Sequence, residues 1–174
     1  MSLQDIKNSI RNVPNFPKVG IQFKDITTAL KQANVLNEII EQFAAHYQNE
    51  KIDYIAGIES RGFILGVPLA YRLKCGFIPI RKKGKLPAPT LKQEYTLEYG
   101  TDEIEIHQDA FQKGDKVLIV DDLLATGGTA RAASQLIKQA QADLIGSAFL
   151  IELKDLNGSK KVEPFAPVFS LISY

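Results

Sequence analysis

The chain has 174 residues, enough for one domain with a sizeable core and too few for two ordinary domains. Apolar residues make up 45% and charged residues 24%, an ordinary globular composition that argues against intrinsic disorder. The 21 basic and 20 acidic residues leave a net charge of +1, so charge alone favours neither a nucleic-acid binder nor a polyanion-coating surface.

The rarity of cysteine and histidine limits both the chemistry and the location of the chain. Cys75 is the one cysteine, so no intrachain disulfide forms, and we expect a cytoplasmic protein. The first residues lack the apolar segment of a secretory signal, and no apolar run approaches the roughly 18 residues of a membrane helix. His46 and His107 are the only histidines, so we expect no zinc site and interpret all three residues as structural.

The sequence of the N-terminal half predicts two helices, followed by a strand, a helix and a second strand. The first helix covers residues 2–12 and ends before the prolines at 14 and 17. Asn34 is a candidate N-cap for a second helix, whose apolar positions recur at helical spacing: Leu36, Ile40, Phe43 and Tyr47. The apolar run 52–58 predicts a buried strand, the nearly all-apolar segment 63–74 a buried helix, and 77–80 another strand.

The C-terminal half adds a loop, a hairpin and three further strands. Glycine and prolines at 84–89 predict a mobile loop, and strands at 94–98 and 103–108 predict an antiparallel hairpin. The remaining predicted elements are strand 117–120, helix 129–141, and strands 144–153 and 168–172. This alternation predicts a single α/β domain, residues 1–174, with a mostly parallel central sheet, helices on both faces and a small antiparallel hood.

The strongest candidate for a ligand site is the segment 117–129, where an apolar strand leads through two carboxylates into a glycine-rich turn and a helix. Its acids, hydroxyls and glycines are Asp121, Asp122, Thr126, Gly127, Gly128 and Thr129. Glycines let backbone N–H groups close around an anion, and the helix N-terminus adds its positive dipole. Paired carboxylates suit sugar hydroxyls or hydrated Mg²⁺. A phosphate-bearing ligand is therefore favoured over a simple turn, at the strand ends where α/β sheets bind ligands.

Other phosphate and hydrolase motifs do not fit the sequence. The only Gly-Lys pair is Gly84-Lys85, and Pro79 stands where a Walker loop needs glycine. The dinucleotide fingerprint G-x-G-x-x-G does not occur. The glycines around Ser60 are spaced one residue too widely for a G-x-S-x-G elbow, and neither histidine comes late enough in the chain for its triad.

The near-zero net charge hides a segregation of sign. Residues 72–92 carry seven basic side chains and no acid, whereas residues 93–109 carry six acids and no lysine or arginine. A run of charge is usually a solvated face. Beside a polyphosphate site, however, a mobile cationic loop is suited to shield the reaction from water.

Segment 117–129 resembles the phosphoribosyl-pyrophosphate (PRPP) motif of the type I phosphoribosyltransferases. Four more segments resemble the adenine phosphoribosyltransferases, in the same order along the chain: GIQFKDIT at 20–27, ESRGF at 59–63, RKKGKLP at 81–87 and YTLEYG at 95–100. Together they cover residues 16–174. The resemblance implies a type I phosphoribosyltransferase fold and the reaction adenine + PRPP → AMP + pyrophosphate. It also implies Mg²⁺ carried by PRPP without a direct protein ligand, and a homodimer as the active unit.

The resemblance also implies roles for individual residues. The implied PRPP and AMP contacts are Asp121, Asp122, Ala125, Thr126, Gly127, Gly128 and Thr129. The implied pyrophosphate contacts are Glu59, Ser60, Arg61, Arg81, Lys82 and Lys85, of which Arg81 reaches across the dimer interface. The implied catalytic residues are Arg61, Lys85, Glu98 and Tyr99, with Glu98 taking or orienting the proton at N7 of the purine. The implied adenine contacts are Gln22, Phe23, Lys24 and Leu123, with Phe23 stacking on the purine.

The candidate adenine pocket departs from the family pattern and leaves alternatives open. Gln22 and Lys24 stand where an aliphatic residue and an arginine are usual, and Val19 stands where proline is common. The same transfer to hypoxanthine or guanine is one alternative, which Gln22 alone favours, whereas Glu98 favours adenine. A PRPP-sensing regulator that binds nucleic acid is another. Since the resemblance begins at residue 16, we expect no room for a DNA-binding module and no nucleic-acid or membrane partner.

Overall fold

Helices and strands alternate along the chain, as the sequence predicts. The computed structural model describes residues 1–96 and 100–174. The described helices are α1 (Leu3–Ser9), α2 (Thr27–Leu30), α3 (Ala33–Tyr47), α4 (Arg61–Leu73), α5 (Gly128–Gln139) and α6 (Ser159–Val162). The described strands are β1 (Arg11–Pro14), β2 (Gln22–Asp25), β3 (Tyr54–Ile58), β4 (Gly76–Lys82), β5 (Thr90–Thr96), β6 (Thr101–His107), β7 (Lys116–Leu124), β8 (Asp143–Glu152) and β9 (Val168–Ser173).

Seven strands form one mixed sheet in the order β5-β6-β4-β3-β7-β8-β9. Five adjacent strands of this sheet run parallel: β4, β3, β7, β8 and β9. Parallel neighbours require crossover connections rather than tight hairpins. The predicted hairpin is confirmed as the antiparallel pair β5–β6, and β6 also pairs antiparallel with β4. The hairpin therefore continues the central sheet beyond β4.

Alternate residues of β7 show that helices cover both faces of the sheet. Leu118 and Val120 are fully buried on one face, in a cluster with residues of α1, α3 and α4. Val117 and Ile119 are fully buried on the other face, in a cluster with residues of α5. A strand covered on both sides reads as a continuous apolar run, which is why this strand was predictable from the sequence. None of the described helices is both long and apolar enough to span a membrane.

The N-terminal region differs from the predicted single helix. α1 ends at Ser9 because Ile10 adopts an extended conformation, and the chain continues as β1. β1 pairs antiparallel with β2 in a separate two-stranded sheet, for which the sequence carries no signal. Asn34 is not the N-cap of α3. The N-cap is Gln32 and the helix begins at Ala33, two residues earlier than predicted, because the carbonyl of Gln32 already accepts the first helical hydrogen bond.

Helix α4 is not buried on all sides, contrary to the prediction from its apolar sequence. Leu65 and Leu69 are fully buried against the sheet, whereas Ile64, Val67 and Tyr71 are 46%, 50% and 87% exposed. The exposed residues are three and four positions apart and share one face of the helix. Within this chain, that apolar face is left open to solvent.

Candidate active site

β7 carries Asp121 and Asp122 beyond the end of its neighbour β3. The last β3–β7 pair joins Gly57 to Val120, whereas the pairing of β7 with β8 continues to Leu124. The strand predicted at 117–120 is therefore too short. After Val120 the strand has lost its neighbour β3, but it continues to Leu124 by pairing with β8. Both carboxylates lie at the open carboxyl edge of the sheet, where α/β folds place their ligands.

An ion pair links this edge to the start of α4. Nε of Arg61 donates to Oδ2 of Asp122 at 2.5 Å. The Asp122 side chain is only 5% exposed, whereas the Arg61 side chain is 41% exposed. Gly62 allows this approach, because a Cβ there would lie 2.7 Å from the carbonyl oxygen of Val120. The guanidinium is thus anchored at one nitrogen while the rest of its fork remains accessible to an anion.

The carboxyl group of Asp121 is affected by burial and by its neighbour Asp122. Burial, followed by the neighbouring charge of Asp122, raises the pKa of Asp121 well above its ordinary value. Its Oδ1 accepts a hydrogen bond from the backbone N–H of Asp122 at 2.8 Å. The two carboxylates are therefore placed to share hydrogen bonds with hydroxyl groups of a sugar.

The turn after β7, which we call the glycine loop (residues 125–129), leaves the start of α5 free for an anion. Gly127 has φ +77°, and a Cβ there would lie 2.4 Å from the carbonyl oxygen of Gly158. Gly127 is also the N-cap of α5 and offers no side chain to the first N–H groups of the helix. A cavity of about 230 Å³ opens here, lined by Arg61 and residues 121–130. Backbone N–H groups and the helix dipole therefore face a space suited to a phosphate.

Glu59, which the resemblance groups with pyrophosphate, has its carboxylate against Arg81 and Lys82. Its carboxylate accepts hydrogen bonds from Nε and Nη2 of Arg81 at 3.2 and 3.3 Å, and from the backbone N–H of Lys82 at 2.8 Å. Burial by itself raises the pKa of Glu59, but these bonds outweigh it and lower the pKa. Arg81 also donates to the carbonyl oxygen of Lys85 at 3.3 Å. The Glu59 carboxylate thus orients Arg81.

A second cavity, of about 410 Å³, lies between the two-stranded sheet and Arg61. Its lining residues are Val13, Phe16, Phe23, Lys24, Asp25, Ile26, Thr27 and Arg61. The Phe16 and Phe23 rings meet edge to face at 5.2 Å, and the Arg61 guanidinium lies 5.7 Å from the Phe23 ring centre. An apolar cavity with an aromatic wall and a cation at its edge suits a planar heterocycle.

The unusual residues of β2 are engaged with other parts of the protein. Nδ2 of Asn12 donates to Oε1 of Gln22 at 2.7 Å, and Gln22 is not among the described residues that line the apolar cavity. Nζ of Lys24 donates to Oδ1 of Asn12 at 3.1 Å and lies 3.9 Å from the Tyr174 ring centre. Gln22 therefore provides no structural support for a changed base preference.

The structure brings together some of the predicted site residues and not others. Arg61 lines both cavities and joins Phe23 to the acids of β7. Leu123 lines the polar cavity, whereas Phe23 lines the apolar one. The predicted catalytic residues Glu98 and Tyr99 lie outside the described residues. Ser60 is exposed directly before α4, and Lys85 is exposed in the loop after β4.

Several residues at the site carried no recognisable signal in the sequence. These are Asn12, Val13, Phe16, Asp102 and Gly158. Each acts through a contact with a segment that is not adjacent along the chain, so no local pattern marks it.

Across residues 1–96 and 100–174, no group of three or more histidine, cysteine or acidic side chains is arranged to hold a metal ion. His46 stacks on Phe169 at 3.8 Å between ring centres, away from both cavities.

Comparisons with known proteins agree with this geometry. The chain matches the phosphoribosyl transferase domain over residues 24–173. It is 57% identical over 170 residues to adenine phosphoribosyltransferase of Thermosynechococcus vestitus, covering 98% of this chain and 99% of that protein. The crystal structure of adenine phosphoribosyltransferase from Thermoanaerobacter pseudethanolicus has a TM-score of 0.96 and 51% identity, and covers 99% of this chain and 100% of that one. The Saccharomyces cerevisiae enzyme, solved with D-2,5-dideoxy-2,5-imino-altritol 1,6-bisphosphate and adenine, has a TM-score of 0.94 and 42% identity, with 98% of each chain covered.

Proposed function

The chain belongs to the adenine phosphoribosyltransferase family, and we propose that it transfers the phosphoribosyl group of PRPP to adenine in purine salvage, giving AMP and pyrophosphate. The observation that carries the proposal is the position of Arg61. This side chain lines both the apolar cavity beside Phe23 and the polar cavity beside the glycine loop. A planar base and a sugar phosphate can therefore bind next to each other, with a cation at their junction.

The glycine loop and β7 bind the ribose phosphate. Backbone N–H groups at the start of α5, with the hydroxyls of Thr126 and Thr129, receive the 5′-phosphate. Asp121 and Asp122 accept hydrogen bonds from the ribose hydroxyls, at the edge where β7 outlasts β3. Mg²⁺ enters bound to PRPP and is part of the substrate.

The cations promote departure of pyrophosphate. The bond from the ribose C1 to the pyrophosphate oxygen breaks with both electrons leaving on pyrophosphate, and N9 of adenine forms the new bond to C1. Negative charge develops on the leaving group, so guanidinium and ammonium groups stabilise the transition state. Arg61, Arg81, Lys82 and Lys85 are the proposed cations. Glu98 receives or orients the proton at N7 of the purine, and the resemblance also assigns Tyr99 a catalytic role.

A homodimer and a cytoplasmic location are part of the proposal. The exposed apolar face of α4 supports a second copy as a partner, because Ile64, Val67 and Tyr71 leave an apolar stripe uncovered in one chain. Sedimentation equilibrium measures the mass of the assembly, and we expect the mass of two chains for the wild type. A Tyr71→Glu variant with the same mass as the wild type would contradict a role for α4 in the dimer. The half-buried lone cysteine, Cys75, supports a reducing compartment.

The activity is tested by product analysis. The protein is incubated with adenine, PRPP and Mg²⁺, and AMP and pyrophosphate are measured in the same samples. We expect the two products in equal amounts, and neither product when PRPP is omitted. Release of pyrophosphate without AMP would indicate hydrolysis and contradict the proposal.

A further inference from the structure

Three side chains join β4 to the hairpin β5–β6. Nζ of Lys82 donates hydrogen bonds to the hydroxyl of Tyr95 at 2.6 Å and to Oδ2 of Asp102. The Tyr95 hydroxyl donates to the same Oδ2 at 2.9 Å. Tyr95 and Asp102 are also directly opposite each other in the β5–β6 ladder. The three groups form a closed, hydrogen-bonded set, which we call the lysine triangle.

The lysine triangle lies beside the glycine loop. Tyr95 is 8% exposed and belongs to the apolar cluster between the sheet and α5. A Cβ on Gly128 would lie 3.8 Å from Cδ2 of Tyr95 and 3.5 Å from the carbonyl oxygen of Thr96. The Tyr95 ring therefore packs next to the first turn of α5, and its hydroxyl holds the Lys82 ammonium on that side of the hairpin.

Asp102 is itself fixed and leaves Lys82 able to bind a further group. Oδ1 of Asp102 accepts a hydrogen bond from the backbone N–H of Glu103 at 2.8 Å, while Oδ2 serves the lysine triangle. An ammonium has three N–H donors, and the lysine triangle uses two of those of Lys82. Its side chain is 39% exposed, so the third donor is accessible.

The charge on Lys82 is also maintained by its neighbours. Burial by itself lowers the pKa of Lys82, but the hydrogen bonds with Asp102 and Tyr95 outweigh burial and raise the pKa. A lysine stem is flexible and loses several rotatable bonds when the ammonium is fixed. Fixing it before the substrate arrives lowers the entropic cost of binding.

We propose that Asp102 and Tyr95 are positioning residues that hold the Lys82 ammonium ready for the pyrophosphate group of PRPP. The inference rests on the proposed function, since it requires that Lys82 contacts this anion. Asp102 and Tyr95 act through Lys82 and do not touch the substrate. Without Asp102 the ammonium loses its fixed position, and binding of PRPP then includes the cost of ordering the side chain.

The test measures the Kd of Mg²⁺-bound PRPP by calorimetry for the wild type and for Asp102→Asn, Tyr95→Phe and Asp109→Asn. Asp109 is an exposed acid just after β6, so its variant is a matched control for loss of one charge. We expect Asp102→Asn to weaken PRPP about tenfold, the scale of one charge-assisted hydrogen bond. Tyr95→Phe should weaken it less, because the ion pair remains. Asp109→Asn should bind like the wild type, and the KM for adenine should stay unchanged in all three.

Coupling to Lys82 separates positioning from a general structural effect. In a Lys82→Ala background, Asp102→Asn should have no further effect on the Kd of PRPP, because Asp102 acts only through the missing ammonium. Equal weakening in both backgrounds would overturn the inference, as would an Asp102→Asn variant with wild-type affinity. The two proposals can fail separately. If the wild type binds PRPP and the variants show this coupling, but the wild type makes no AMP, the result would contradict the proposed function and leave the positioning role intact.

Discussion

Arg61 and Asp122 connect the start of α4 to β7 at the candidate active site. Nε of Arg61, the first residue of α4, donates to Oδ2 of Asp122 at 2.5 Å, and Asp122 lies in β7 next to β3. The same guanidinium lies 5.7 Å from the centre of the Phe23 ring. The Arg61 side chain thus lies between the proposed positions of the base, the ribose and the pyrophosphate. A substitution at Asp122, which holds Arg61, should therefore affect the binding of all three groups.

Replacing both acids of β7 tests the assignment of the ribose site. In the Asp121→Ala, Asp122→Ala variant, lost hydrogen bonds and the released Arg61 should weaken PRPP binding at least about tenfold. Equilibrium dialysis with labelled PRPP measures this. Asp143→Ala is the control, because Asp143 is exposed at the amino end of β8 and should not alter binding. Unchanged PRPP affinity in the double variant would show that the β7 acids do not contact the sugar.

A comparison of two glycines tests whether the glycine loop needs close packing. Gly127 and Gly114 both have positive φ, but a Cβ meets a backbone oxygen at 2.4 Å at Gly127 and nothing within 4 Å at Gly114. Gly114→Ala should lower the free energy of unfolding by about 1 kcal/mol, for the backbone conformation alone. Gly127→Ala should lower it by about 2 kcal/mol or more and also weaken PRPP binding. Urea unfolding checks both, and equal losses in the two variants would contradict the packing argument.

Glu98 tests the assignment of the base that receives the purine proton. Glu98→Leu removes the carboxylate, so turnover should fall by about 10²-fold or more while the Kd of PRPP changes little. Steady-state kinetics and calorimetry separate the two quantities. Glu94→Leu, at an exposed acid of β5, is the control and should leave turnover near the wild-type value. A near-normal kcat for Glu98→Leu would remove Glu98 from the mechanism.

Asp25 should make the stability of the chain depend on pH. Hydrogen bonds from the Thr27 side chain, followed by that of Arg11, lower the pKa of Asp25 from 3.8 to about 2. A carboxyl whose pKa falls on folding stabilises the folded state above about pH 4, and this contribution disappears as pH falls towards 2.

The Asp25→Asn variant isolates this contribution. It should be less stable than the wild type by about 1 kcal/mol at pH 7, after allowance for solvent screening. Urea unfolding at several pH values measures the difference, which should shrink as the pH is lowered below about 4. A difference that stays constant between pH 7 and pH 3 would rule out the ionised Asp25 as its source.

The central sheet and the glycine loop were predictable because their signals are local. The apolar run of β7 results from burial on both faces, and the acids, glycines and hydroxyls that follow it are consecutive in the chain. The two-stranded sheet was not predictable in the same way. β1 and β2 are short, carry no fully buried residue and form only by pairing with each other, so neither has the apolar alternation of an independent strand.

Contacts between distant segments account for the other differences. Gly158 is required because the glycine loop approaches it, a relationship that no pattern around residue 158 reveals. The hydrogen bonds from Arg81 to the Glu59 carboxylate likewise join residues 22 positions apart, and no pattern around residue 59 reveals them. The apolar sequence of α4 predicted burial on all sides, but sequence does not distinguish an apolar helix face that packs against the sheet from one that stays exposed.

The most direct test of the proposed function is the choice of base. The protein is incubated with PRPP, Mg²⁺ and equal amounts of adenine, hypoxanthine and guanine, and the nucleotides formed are separated by chromatography. We predict AMP as the product, with IMP and GMP at background. IMP or GMP as the main product, or no nucleotide from any base, would contradict the account.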